Sequence, residues 1–338
     1  LSTDLPHDVI TSADQLVAFA KKVNGGDNYA CAVLDADIDL SKVGDWTPIG
    51  NHENRFQGVF DGQGHTINLG INVPNTGNYS GAFIRFATNA TVKNLNLTGS
   101  VTTAGKHCAS VISYAWGNVT VENVTSCTDN YTNGGDACLA GLVGMAGENG
   151  TGAAETNVTF RNCGFTGSMN HTGNPGDNHG GCFIGWKGNN KSTVFIYNSY
   201  AAPHGDIANI GNVNSFIRTW GGNDNGQETV ENSYFIAEVN FGSTFGEAKT
   251  AEQFANGEVC YLLNGDQSNL VWHQNLGEDA FPVLDATHNY VVKNEDGTYG
   301  NWDAIESIAQ DQKVAGTVFN LKARKGIYII YGRKTLVK

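Results

Sequence analysis

Residues 56–71 read FQGVFDGQGHTINLGI, and residues 81–100 read GAFIRFATNATVKNLNLTGS. The DGQGH core of the first stretch has the glycine spacing of a phosphate-cradling loop, but no Gly-Lys-Ser or Gly-Lys-Thr follows it and it opens no helix. Phe56, Val59, Phe60, Ile67, Leu69 and Ile71 instead supply strand faces around a turn at 61–64. The stretch therefore reads as scaffold, and function must be sought elsewhere.

The second stretch is the first of five versions of one unit. The others are ASVISYAWGNVTVENVTSC, AGLVGMAGENG running on to TNVTFRNCGFTGS, GCFIGWKGNNKSTVFIYNSY and NSFIRTWGGNDNGQETVENSYF. Each carries a strand of small and apolar residues, a Gly/Asn loop, a second strand, an Asn and a third short strand. The marker residues Asn94, Asn123, Asn162, Asn198 and Asn232 recur every 29 to 39 residues, elastic in the loops and constant in the strands. That is the signature of a solenoid.

The marker has a physical reason. Val92, Val121, Phe160, Ile196 and Val230 alternate inward before it, whereas Leu95, Val124, Cys163 and Ser199 point inward just after it. The period of two slips by one residue, so the chain must bend there. Asn tolerates left-handed backbone better than most residues, and its amide can bond the Asn of the next coil. Just before each Asn stand Lys93, Glu122, Arg161, Tyr197 and Glu231, which places opposite charges side by side on adjacent strands.

These features predict an all-β chain, a right-handed parallel β-helix. ITSADQLVAFAKKVNGG is expected to form an N-terminal capping helix, with Ser12 as N-cap and Gln15 closing a capping box. KTAEQFANGEVCYLLNGDQ reads as one amphipathic helix capped by Thr250, opening a small helix-plus-strand closing region. The expected divisions are 1–247 for the capped β-helix, 248–293 for the closing segment and 294–338 for a C-terminal β tail.

The segment WTPIG, then FQGVFDGQGHTINLGI, then GAFIRF and VKNLNLTG, resembles the GLUG-type β-helix repeats common in secreted and surface proteins of gut-dwelling anaerobic bacteria. The resemblance covers residues 10 to 245 or so. The last stretch, GTVFNLKARKGIYIIYGRKTLVK, resembles sorting or anchoring tails of secreted proteins from the same bacteria. Together these imply a secreted or cell-surface protein.

Composition narrows the partners. Of 338 residues, 20 are Lys or Arg and 33 Asp or Glu, for a net charge of -13, so no basic stripe exists to neutralise a nucleic-acid backbone. Polyanionic glycans are disfavoured for the same reason, and a neutral ligand fits better. No apolar run reaches the roughly 20 residues a membrane span needs. The first residues lack a signal peptide's segments, which suggests a chain that starts after processing or was cut from a larger protein. The 7 cysteines form no Cys-x-x-Cys pair and read as buried thiols, with a disulfide between neighbouring rungs as the alternative.

Catalytic signatures are weak. The acids Asp129, Asp136, Asp177, Asp206 and Asp224 are isolated, without the adjacent carboxylates of a galacturonase-like site. There is no Gly-x-Ser-x-Gly elbow and no His-Glu-x-x-His. His171, Asp177 and His179 share one loop with His204 and Asp206 nearby, but turn formation explains such residues as well as a metal does. No catalytic residue and no metal ligand is assigned, no cofactor is expected, and calcium is left open.

The aromatic residues carry more. Aligning the coils puts Phe86, Tyr114, Met145 and Trp186 in one column, with Trp116 and Trp220 one or two positions on. Indoles on neighbouring rungs, about 4.8 Å apart, suit stacking on sugar rings if they face water. A second outward set is Tyr197, Tyr200 and Tyr234. The expected site is Trp116, Trp186, Trp220 and Tyr114 as stacking surfaces, with Arg218, Asn189 and Asn223 as hydrogen-bonding partners.

The function expected is a non-catalytic carbohydrate-binding module for neutral plant polysaccharide, xylan or β-glucan. The xylan suggestion comes only from a resemblance to the β-helical carbohydrate-binding modules attached to xylanases of gut bacteria. That resemblance also implies a monomer tethered to a glycoside hydrolase domain. A polysaccharide lyase or glycoside hydrolase, and a surface adhesin, are the alternatives.

Overall fold

A computed structural model describes residues 6–302, apart from 75–80, 136, 149–153, 173–178, 189–190, 206–211 and 220–227. The described chain is mostly β with few helices, and its sheets are parallel apart from one terminal hairpin. Three successive passes of the chain visit four sheets in the same order. Ile84–Thr88 leads to Thr91–Thr98, Ser100–Thr103 and His107–Cys108, and the next pass repeats this as Ile112–Trp116, Asn118–Ser126, Asp129–Thr132 and Cys138–Ala140. Corresponding strands pair in register: Val92 with Val121, Val121 with Phe160, Phe160 with Ile196 and Ile196 with Val230.

The expected slip at the marker Asn is present. Asn94, Asn123, Asn162, Asn198 and Asn232 all adopt left-handed backbone, with φ of 51, 52, 51, 50 and 44°. Val92, Val121, Phe160 and Ile196 before them, and Leu95, Val124, Cys163 and Ser199 after them, are buried. A side chain with its own hydrogen-bonding capacity offsets the cost of that conformation, which explains Asn rather than a β-branched residue there.

Helix α1, Ala13–Asn24, begins where Ser12 accepts the Gln15 N–H; Gln15 reaches back to the Thr11 N–H rather than to Ser12. Its buried face includes Leu16, Phe19 and Val23, and Phe19 meets both Phe56 and Phe60 edge-on at 6.2 Å. Apolar surface that a first strand alone would leave wet is thereby covered.

The closing segment departs from the single helix expected. It has two short helices, α2 at Ala251–Ala255 and α3 at Glu258–Leu263, separated by Gly257 at φ 91°. A Cβ at Gly257 would lie 2.8 Å from Leu276 and from Val291, so close packing as well as backbone conformation requires the break. The hairpin of Val291–Lys293 with Tyr299–Asn301 crosses the expected boundary at 293, so this segment runs on to at least Trp302, whose N–H meets the Tyr290 carbonyl. It docks on the marker corner: Trp272 Nε1 donates to the Asn198 carbonyl at 3.0 Å, and Tyr200 Oη donates to that of Pro282 at 2.8 Å.

One feature of the interior is ionic. Lys187 pairs with Ala146, whose strand neighbours Ala115 and Ala87 are core residues, and Glu228 pairs with the core residue Val194. Both charged side chains take positions that other passes give to apolar residues, and Lys187 Nζ meets Glu228 Oε1 there. All seven cysteines are free thiols; six are buried as expected, and Cys127 is exposed.

Candidate functional site

The aromatic column exists, but it is not a water-facing wall. Strand pairing aligns Phe86, Tyr114 and Met145, and the Ala146–Lys187 bridge brings Trp186 into line. These residues do not join the aliphatic core. They form a separate buried cluster with Trp116 and Cys138, in which Trp116 is 7% and Trp186 8% exposed. Tyr114 is 2% exposed.

The reason lies in the adjoining sheet. Its strands His107–Cys108, Cys138–Ala140 and His179–Gly181 turn His107, Cys138 and His179 toward the same rings. His107 meets Tyr114 at 5.9 Å and His179 meets Trp186 at 5.2 Å. Arg55 covers the Trp116 ring at 3.9 Å and Arg218 stands over Trp186 at 5.6 Å. Arg218, expected to reach a ligand, also approaches His179 Nδ1 at 3.3 Å. The rings are therefore packing groups, and stacking by Trp116, Trp186 and Tyr114 on sugar is withdrawn. Trp220, Asn189 and Asn223 lie outside the described residues.

The second aromatic set fares similarly. Tyr200 and Tyr234 are buried with the closing segment, and only Tyr197 is half-exposed, with Arg161 over its ring at 4.6 Å. The loop histidines are structural where described. His171 Nε2 lies 2.6 Å from the Gly134 carbonyl, and His204 Nδ1 lies 2.7 Å from that of Thr166. Asp136, Asp177, Asp206 and Asp224 lie outside the described residues. Among the described residues no three His, Cys, Asp or Glu side chains are grouped to hold a metal ion.

What the structure adds is a groove of about 630 Å³ on the marker side of the chain. One wall comes from the early passes and includes Asp37, Gln63, Thr66, Asn96 and Asn123. The other comes from the closing segment, through Val271, Leu284 and Asp285. The volume is within the range of small-ligand sites, and the lining is rich in side-chain amides, with one hydroxyl from Thr66. No Lys, Arg or His is among the described residues that line it.

Its polar groups are held in place. Asn96 Nδ2 donates to the Gly64 carbonyl at 3.0 Å while its Oδ1 accepts from Thr125 Oγ1 at 2.6 Å. Asp37 Oδ1 accepts the Thr66 N–H at 2.9 Å and lies 3.1 Å from His65 Nδ1. The Thr66 N–H first, and then His65, hold that carboxyl below the usual aspartate range. Asp285 is likewise held down, first by the Thr287 N–H at 2.8 Å. Hydrogen bonds to the charged form explain both shifts.

Both carboxylates are thus ionised at neutral pH. Sequence reasoning missed this site because its walls meet only in the fold, from residues 37–123 and 271–286.

No family model matches the chain. A curated protein of Evansella cellulosilytica named "Putative Gly-rich membrane protein" is 39% identical over 84 residues, which are 23% of this chain and 10% of that protein. The match thus spans about a tenth of that relative's length. A solved structure from Bacteroides ovatus, described as "a putative immunoglobulin A1 protease", superposes with a TM-score of 0.54 at 17% identity. The superposition covers 84% of this chain and 93% of that one. At that identity the likeness speaks for fold alone: this chain shares its mostly-β, parallel-sheet architecture with the Bacteroides protein.

Proposed function

We propose that the chain is a right-handed parallel β-helix of GLUG-like repeats, secreted or displayed by a gut-dwelling anaerobe, and that it is a non-catalytic module binding neutral polysaccharide such as xylan or mixed-linkage glucan. In-register pairing of successive passes and the recurrent left-handed Asn support the β-helix. The groove between the marker side and the closing segment carries the functional reading. Its amides and ionised carboxylates offer donors and acceptors to sugar hydroxyls, and no cation among the described lining residues draws an acidic ligand.

Hydrogen bonds of this kind each net about 0.5–1.5 kcal/mol. A few of them, without a stacked ring, give an affinity in the micromolar range or weaker. In this reading Gln63 and Asn96 are the ligand-facing amides, and the closing segment is one wall of the site as well as a cover.

Affinity electrophoresis through gels containing soluble xylan, mixed-linkage glucan or polygalacturonate tests this, with product analysis on the same glycans. Retardation by a neutral glycan without new reducing ends or unsaturated products is expected. Combined Gln63→Ala and Asn96→Ala substitutions should weaken retention about tenfold, corresponding to roughly 1.4 kcal/mol. Migration unaffected by every neutral glycan, or retention indifferent to the double substitution, would sink the assignment, and product formation would favour a lyase or hydrolase.

A further inference from the structure

We infer that Asp37 and Asp285, one on each wall of the groove, act as specificity-determining residues that turn away glycans bearing carboxylate substituents. This rests on the reading of the groove as a glycan site. The two residues come from opposite ends of the described chain, Asp37 just ahead of the strand Ile38–Asp39 and Asp285 in the closing segment. A ligand occupying the space between the walls therefore meets a negative charge on both sides.

Two features make the pair more than incidental surface acids. Each carboxylate accepts a backbone N–H, Asp37 from Thr66 at 2.9 Å and Asp285 from Thr287 at 2.8 Å, a contact that favours its charged form. A nearby histidine stands beside each, with His65 Nδ1 3.1 Å from Asp37 and His288 Nε2 3.9 Å from Asp285, but neither imidazole lines the groove. An acidic substituent entering the site finds no lining Lys or Arg among the described residues to offset those charges.

The size of the discrimination follows from Coulomb's law. A ligand carboxylate about 6 Å from one aspartate, in a water-rich groove, is disfavoured about threefold, and two such charges multiply to about tenfold. Exclusion by repulsion is a recognised route to specificity when attractive contacts are generic, as hydroxyl-to-amide bonds are. Because the groove is open to solvent, salt should weaken the effect.

Isothermal titration with xylohexaose and with xylohexaose bearing one 4-O-methylglucuronate branch provides the test. The expected result is binding of the unbranched oligosaccharide about tenfold tighter at low salt, a gap that narrows severalfold in about 0.5 M NaCl. Asp37→Asn and Asp285→Asn should each narrow the gap at low salt, and the double substitution more than either. A gap that responds to neither salt nor substitution would be steric and would overturn the inference, as would equal binding of the two oligosaccharides. Failure of both oligosaccharides to bind would overturn the glycan reading itself and this inference with it.

Discussion

Asn94 Nδ2 donates to the Asp61 carboxylate at 2.9 Å. Asn123 donates to Asn94 Oδ1 at 2.9 Å and Asn162 to Asn123 Oδ1 at 2.8 Å, so three amides run in one direction and end on a negative charge. Lys93 Nζ lies 3.4 Å from the other Asp61 oxygen. Aligned amides polarise one another, and an acceptor that carries charge is the favourable terminus for a row of donors.

Asn123→Ala should therefore do more damage than the loss of a surface amide. It removes two ladder hydrogen bonds, each netting about 1 kcal/mol, and leaves a Cβ-bearing residue at φ 52° without the compensation Asn provides. A loss of about 3 kcal/mol in urea unfolding is expected. Asn123→Gly relieves the backbone penalty and should cost about 1 kcal/mol less than Ala. Equal losses for the two variants would show that the left-handed conformation is not the reason for Asn.

The ion pair of Lys187 with Glu228 makes an asymmetric prediction. Lys187→Met leaves the Glu228 carboxylate buried without its cation and should cost about 3–5 kcal/mol. Lys187→Met combined with Glu228→Leu removes both charges from an apolar surrounding and should recover most of that loss. Thermal and urea unfolding of the single and double variants measure the coupling, and a double variant no better than the single one would refute it.

Trp186→Ala distinguishes the buried cluster from an exposed platform. Deleting a ring packed against His179 and covered by Arg218 should cost about 3 kcal/mol or more and lower the melting temperature by several degrees. An exposed stacking residue would leave stability almost unchanged. A melting temperature within a degree of the parent protein would restore the platform idea.

His107 gives the acid side of the stability curve a specific slope. Burial, with Lys106 adding to it, pushes its imidazole from the usual 6.5 down to about 3. Between those values the unfolded chain takes up a proton that the folded chain refuses, so stability falls as pH falls from 6.5 toward 3. At pH 5 the deficit relative to neutrality is on the order of 2 kcal/mol. His107→Gln should flatten the dependence of the urea midpoint on pH in that window by about one proton. An unchanged slope would mean that His107 titrates normally.

The features legible in the sequence were those with a local cause. The five left-handed Asn residues follow from a slip in strand alternation, and the side-chain N-caps of α1 and α2 follow from a Ser or Thr placed three residues before a Gln. The column of Phe86, Tyr114, Met145 and Trp186 was also readable, because in-register parallel strands translate sequence spacing directly into neighbourhood. The break at Gly257 was not read, since the side chains of Leu276 and Val291 that crowd it lie far along the chain.

By itself the sequence determined which residues face away from the aliphatic core and which passes pair with which, because alternation and the marker Asn act through nearest neighbours. Only the tertiary structure decided whether an outward residue reaches water. The adjoining sheet folds against Trp116 and Trp186, and the closing segment walls the amides beside Asn96. Facing outward from one sheet is a property of a strand, whereas being wet depends on what every other segment covers.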